Sequence, residues 1–143
     1  MMISTKGRYA LRAMVDIAQQ NTGEFITLKD IARRQEISEK YLESILPILT
    51  KAGLLYGVRG KGGGYKLTRP PESYTVGSIL SLVEGSFIPV SCLENSPVIC
   101  HRAPDCCTLP MWQHLKDTVE TFFEGYTVAD LCNQKRDNSD FVI

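Results

Sequence analysis

Between Thr27 and Thr68 the chain reads TLKDIARRQEISEKYLESILPILTKAGLLYGVRGKGGGYKLT, and few arrangements satisfy that stretch. Thr27 stands three residues ahead of Asp30, so its hydroxyl can cap a helix whose apolar face is Leu28, Ile31 and Ala32. Ser38 opens a second helix, in which Leu42, Ile45, Leu46 and Leu49 recur at the three-four spacing of a buried stripe. Only a turn around Glu36 and Ile37 separates the two, which is helix-turn-helix spacing. Pro47 removes a backbone donor inside the second helix and should bend it near its middle. After Gly53, Leu54–Val58 and Tyr65–Thr68 are short strands flanking the tip RGKGGG. The predicted fold is mainly α with a small β-hairpin wing.

The second helix is the candidate reading helix. A major groove admits one α-helix, and the exposed residues near that helix's N-terminus reach the base edges. Lys40 can donate to guanine, Glu43 can accept from a cytosine amino group, and Ser44 can serve either way. A mixed polar face is also what the solvated side of a core helix looks like. The hairpin decides between them. Arg59 and Lys61 put charge at its tip, and the glycines from Gly62 to Gly64 let a backbone approach a phosphate closely. Arginine is also suited to entering a narrow minor groove. A nucleotide cradle is excluded by spacing: Leu55 stands where a P-loop needs its first glycine, and Tyr65 where a dinucleotide turn needs its third.

With 143 residues, 43% of them hydrophobic and 22% charged, one compact domain with a helical extension is expected. No run of about 18 apolar residues offers a membrane span, and MMISTKGRYALRAM lacks the apolar core of a secretory signal, so a cytoplasmic protein is expected. The formal net charge of zero hides an asymmetry. Residues 1–69 carry 12 Lys/Arg against 6 Asp/Glu, a net of +6, and residues 70–143 carry 4 against 10, a net of −6. A basic module joined to an acidic one fits a nucleic-acid reader with a second task.

Ser4 or Thr5 caps a first helix extending to about Gln20, with Ala10, Ala13, Met14, Ile17 and Ala18 as its apolar face. Lys6, Arg8 and Arg12 lie near its start, where cations oppose the helix dipole, so either a phosphate or plain solvation accounts for them. Thr75 caps a helix built on Val76, Ile79, Leu80 and Val83, and Gly85 stops it. From Phe87 to Thr108 no period survives, and Pro89, Pro97 and Pro104 punctuate the stretch; loops of this length are often functional. Pro110 then starts a long helix. Met111, Leu115, Val119, Phe122 and Tyr126, with Trp112 and Phe123 adjacent, give it more apolar surface than a terminal helix needs. That surface points to the same helix of a second subunit, the alternative being a fold back onto its own core. Thr127–Asp130 caps a short helix bearing Leu131 and Cys132. The expected organisation is a winged-helix unit over 1–84, a cysteine-bearing loop over 85–108, dimerisation and short C-terminal helices over 109–133, and a polar tail over 134–143.

Four of the five cysteines, Cys92, Cys100, Cys106 and Cys107, lie in that loop. Clustered thiols in a cytoplasmic protein point to metal or redox chemistry. The spacing C-x7-C-x5-C lacks the close pairs of a zinc site, whereas three soft thiolates suit an iron–sulphur cluster.

STKGRYALRAM, ISEKYLESIL, VRGKGGGYKL and TVGSIL, followed by three cysteines ahead of a tryptophan-bearing helix, resemble the winged-helix transcription regulators typified by the iron–sulphur cluster regulator IscR and the nitric-oxide sensor NsrR. The resemblance covers nearly the whole chain. It implies a symmetric dimer on a near-palindromic double-stranded operator, with Ser38, Lys40, Tyr41, Glu43 and Ser44 facing the bases, Arg59 in the minor groove, and Lys61, Gly62 and Gly63 beside it at the wing tip. It places Cys92, Cys100 and Cys106 on the family's three cluster-ligand positions, a 2Fe–2S cluster ranking ahead of 4Fe–4S. Leu109 stands where such members carry a histidine ligand, so the fourth ligand stays open among His101, Cys107 and an acidic residue of a second subunit. His114 reads as a surface residue. The resulting expectation is a repressor that senses iron–sulphur, redox or nitric-oxide status and controls cluster biogenesis or sulphur metabolism genes. A cluster-free repressor of cysteine or sulphur metabolism, controlled by thiols or a partner, is the alternative in the same class; a winged-helix protein-interaction module is the alternative outside it. No nucleophile-and-base constellation points to an enzyme.

Overall fold

A computed structural model describes residues 2–20 and 23–134. Helix α1 (Thr5–Gln19) is the axis on which the rest is laid. The Ser4 hydroxyl caps it by accepting from the Gly7 N–H at 3.0 Å. Ala10, Ala13, Met14 and Ile17 are at most 1% exposed, and the two alanines let α2 (Leu28–Gln35), α3 (Glu39–Lys51), α4 (Val76–Glu84) and α6 (Val128–Asn133) pack against one short helix. Thr27, Ser38 and Thr75 each accept from the backbone N–H three residues on, at 3.0–3.1 Å, so the expected caps set the expected starts. The turn between α2 and α3 is closed by Glu36 in the left-handed region (φ 54°).

Helix α3 runs unbroken through Pro47. The ring lies on the exposed side, where water can serve the carbonyl that lost its donor. On its other side Leu42, Ile45, Leu46 and Leu49 are all 0% exposed, a burial that contributes roughly 1.5–3 kcal/mol per side chain. The wing is an antiparallel pair, β1 (Leu55–Val58) and β2 (Gly64–Leu67), with Tyr56 opposite Lys66 and Gly57 opposite Tyr65.

Two polar devices tie these parts together, and neither has a sequence signature. Asp16 on α1 is 2% exposed and accepts a forked pair of bonds from Arg34 and one from Gln35 Nε2, all between 2.8 and 3.2 Å. Removing one member of such a buried pair costs about 3–5 kcal/mol, so this contact fixes α2 on α1. The hydroxyl of fully buried Tyr74 donates to the Leu54 carbonyl and accepts from the Thr68 and Arg69 N–H groups, each at 2.9 Å, which pins the base of the wing to the core.

Helices α5 (Leu109–Glu124) and α6 close the structure. A capping box between Thr127 and Asp130 starts α6, whose Val128 is fully buried among the α1 side chains. The C-terminal helix is therefore part of the winged-helix body. Residues 85–108 are not featureless: Ser91–Leu93 and Ala103–Asp105 form single 3-10 turns, and Phe87 and Leu93 are buried, Phe87 against Phe123 at 5.1 Å between ring centroids. The tail beyond residue 134 lies outside the described residues.

Candidate nucleic-acid interface

Three capped starts and a stripe of leucines orient α3 so that Lys40, Glu43 and Ser44 face outward. Lys40 and Glu43 carry no hydrogen bond or ion pair among the described residues. Ser38 and Ser44 are partly committed: the Ser38 hydroxyl accepts from the Tyr41 N–H at 3.1 Å, and Ser44 donates to the Tyr41 carbonyl at 2.6 Å. Ser38 keeps its O–H to donate, and Ser44 keeps only acceptor capacity. Tyr41 is half-buried, its ring meeting Tyr9 of α1 edge-on at 5.3 Å, so only part of it is open to a ligand.

The basic excess of the first half resolves into two populations. Arg12 is held by the Gln35 carbonyl and lies over the Tyr9 ring; Arg34 is held by Asp16, Arg33 by Asp30, and Arg69 lies over Tyr74. Arg59 and Lys61 are exposed and have no partner among the described residues. Arg59 stands on the far side of a cleft whose near wall is α3, lined by Glu43, Pro47, Arg59, Gly62 and Tyr65.

The wing glycines have internal reasons as well as the expected external one. A Cβ on Gly63 would lie 2.2 Å from the Val58 carbonyl oxygen, and one on Gly64 (φ 145°) 2.3 Å from that of Ile26. Gly63 is buried, which leaves Gly62 as the exposed glycine of the predicted pair. Tyr65, which the sequence presents as the start of a wing strand and as a residue that spoils a nucleotide motif, holds the wing in place. It exchanges two 2.8 Å backbone bonds with Ile26, and its ring lies across Gly57 next to Thr50 of α3. Burial raises its phenol above the ordinary 10.0, Arg59 pulls it down and Glu43 pushes it up, so both charges act on the same ring.

The second half is built differently. On α5 the expected stripe divides. Val119 and Phe123 pack with Val76, Leu80 and Phe87, whereas Met111, Leu115 and Phe122 are 53%, 38% and 58% exposed. Cys92 and Cys100 are exposed, and Cys106 is half-buried immediately before α5. The Thr108 hydroxyl, 3.3 Å away, and the Thr108 and Leu109 N–H groups hold the Cys106 thiol below its ordinary 9.0, with Arg102 adding a smaller pull. Burial pushes Cys132 up instead. The donor set suits a sulphur-rich centre chemically. Its placement does not: among the described residues no three His, Cys, Asp or Glu side chains stand close enough to hold a metal.

Over residues 3–134 the chain matches the Rrf2 family, described as iron-dependent transcriptional regulators. It belongs to that family. The transcriptional regulator IscR of Aliivibrio salmonicida is 37% identical over 92% of this chain and 77% of its own. Among solved structures, CymR of B. subtilis, the global cysteine regulator, is 34% identical with a TM-score of 0.77, over 95% of this chain and 99% of its own. IscR of T. potens is 33% identical with a TM-score of 0.71, over 99% of this chain and 97% of its own. The protein is thus an Rrf2 transcriptional regulator with a winged helix, the function class and fold expected from its sequence, and its relatives are regulators of transcription, not enzymes. Among the described residues no helix is long and apolar enough to cross a membrane.

Proposed function

We propose that this Rrf2 protein is a homodimeric repressor that reads a near-palindromic operator with α3 and the wing, and that its cysteine loop sets its affinity for DNA. One observation carries the DNA-reading assignment: Glu43 of the helix and Arg59 of the wing line the same cleft, and the side chains of Lys40, Glu43, Arg59 and Lys61 make no hydrogen bond or ion pair among the described residues. Glu43 and Lys40 read base edges, Arg59 enters the minor groove, and Lys61 and the Gly62 backbone meet phosphates. The exposed row of Met111, Leu115 and Phe122 is covered by α5 of a second copy, which sets two reading heads about 34 Å apart on successive major grooves. Titrating a palindromic duplex and a scrambled one at several salt concentrations tests this. A steep salt slope with tight binding only to the palindrome supports it, and equal weak binding to both removes it.

For the sensing step, Cys92, Cys100 and Cys106 would hold an iron–sulphur cluster, 2Fe–2S ahead of 4Fe–4S, after the loop draws them together. The resemblance to IscR and the family's iron-dependent description support this. Such a cluster, when bound, supplies a centre sensitive to oxygen or nitric oxide. The residues' own part is to lend thiolates and to pass the loop's order to α4 and α5 at its two ends. A cluster-free thiol switch is favoured by a separate observation, the hydroxyl and amides around the Cys106 sulphur, and by the likeness to a cysteine regulator. Iron and sulphide assays with a visible absorption spectrum, after anaerobic purification, separate the two. Colour that disappears on replacing any of the three cysteines supports the cluster. Colourless, iron-free protein whose DNA binding responds to a thiol oxidant supports the switch.

A further inference from the structure

A duplex that takes α3 in its major groove and Arg59 in the adjacent minor groove must pass one sugar–phosphate strand between the helix and the wing, because that strand is the wall separating the two grooves. The cleft lined by Glu43, Pro47, Arg59, Gly62 and Tyr65 lies between those two elements. Tyr65 stands in it with its backbone locked to Ile26 and its ring resting across Gly57 beside Thr50. The ring therefore has little freedom. Its hydroxyl makes no hydrogen bond among the described residues, although the equally aromatic Tyr74 uses its own hydroxyl four times. A rigid, unpartnered phenol between a base-reading carboxylate and a groove-entering guanidinium is placed for a strand that carries acceptors only.

We propose that Tyr65 is a further DNA-contacting residue, its hydroxyl donating a hydrogen bond to a phosphate of the strand that crosses the cleft. This deepens the DNA-reading assignment above and rests on it. The contact is with the backbone, so it carries no sequence preference; it fixes the register in which Glu43 and Arg59 meet their separate grooves. A phenol is protonated at neutral pH, and burial only raises its pKa further, so it remains a donor.

The test compares wild type and Tyr65→Phe on one operator duplex and on duplexes bearing a single neutral methylphosphonate at successive positions. Wild type should lose roughly tenfold in affinity at one phosphate between the base pairs read by α3 and the minor-groove step. Tyr65→Phe should lose the same factor on the unmodified duplex and on unrelated DNA, and the methylphosphonate at that position should then cost little more. Its salt slope should equal that of wild type, since a neutral donor displaces no counterion, whereas Arg59→Ala should lower the slope by about one. Its melting temperature should also be unchanged, because the hydroxyl has no internal partner. The proposal is overturned by wild-type affinity in Tyr65→Phe, by losses that multiply at every position, by a lowered melting temperature, or by a wild-type scan with no sensitive phosphate in the crossing strand. If wild type fails to prefer the palindrome at all, the DNA-reading assignment falls first, and this contact with it.

Discussion

Helices α3 and α5 carry apolar stripes of comparable length and have opposite fates. The four stripe residues of α3 are fully buried within the chain, and no residue of α5 is. On α3 the face left over carries Lys40 and Glu43, whose side chains make no hydrogen bond or ion pair among the described residues; on α5 it exposes Met111, Leu115 and Phe122. A stripe records that something covers a helix, not that the cover belongs to the same chain. The first helix is complete as a core element and open on its polar face. The second is incomplete as a core element, which is what an assembly surface looks like before assembly.

The sharpest way to break this contrast is to truncate both stripes. Leu46→Ala should cost about 2–5 kcal/mol in urea denaturation through the cavity it leaves. Leu115→Ala should change the stability of the isolated subunit by less than about 0.5 kcal/mol, with any larger effect appearing only as a dependence on protein concentration. Equal costs at low concentration would mean that α5 is a core helix after all. A charge tests the cover itself. Phe122→Glu should yield monomers in sedimentation and weaken operator binding roughly a hundredfold, because two linked half-sites become one; dimers of this variant would place the interface elsewhere.

The open face of α3 should respond more gently. Glu43→Ala is expected to relax discrimination at one base pair by about 1–3 kcal/mol, read from affinities for operators varied at that position. Uniform weakening on every sequence would show that Glu43 meets backbone only. The smallest effect lies in the thiols. Cys106 has its pKa depressed, so its reactive thiolate is present above that lowered value and is lost as the pH falls through it; Cys132, raised by burial, becomes thiolate only above the ordinary 9.0. Alkylation followed by mass spectrometry across pH should give Cys106 a midpoint below 9.0 and Cys132 one above it. Reversed midpoints would remove the thiol-switch reading.

Local signals made much of this visible in advance. Thr27, Ser38 and Thr75 cap where their spacing says, and the periodic residues of α1, α3 and α4 are the buried ones save Val83, which is half-buried, because capping and amphipathicity act over three or four residues. What stayed hidden acts over long separations. Nothing near Asp16 announces Arg34, and nothing near Tyr74 announces the carbonyl of Leu54, 20 residues away. Tyr65 has no signal of its own for a related reason: it lines a cleft with Glu43 and Pro47 of α3, and that cleft needs both helix and wing in place. The cysteines show the converse. Their common loop was plain in the sequence, but shared sequence neighbourhood does not gather side chains, and Cys92, Cys100 and Cys106 do not meet.

The clasp at the start of α1 gives that loop a mechanical meaning. Glu84 is the last residue of α4, one position before the loop begins, and its carboxylate accepts from both the N–H and the hydroxyl of Ser4. The clasp closes only because position 7 is glycine: a methyl there would sit 2.1 Å from the carboxylate oxygen. Farther along the same helix, Tyr9 bears on Tyr41 of α3. The cysteine loop is thus hung, at its root, from the beam that carries the reading head. Because Ser4 caps α1 and Glu84 ends α4, an alanine at position 7 would unhook this suspension by displacing one carboxylate, while leaving every thiol of the loop and the outward side chains of α3 in place.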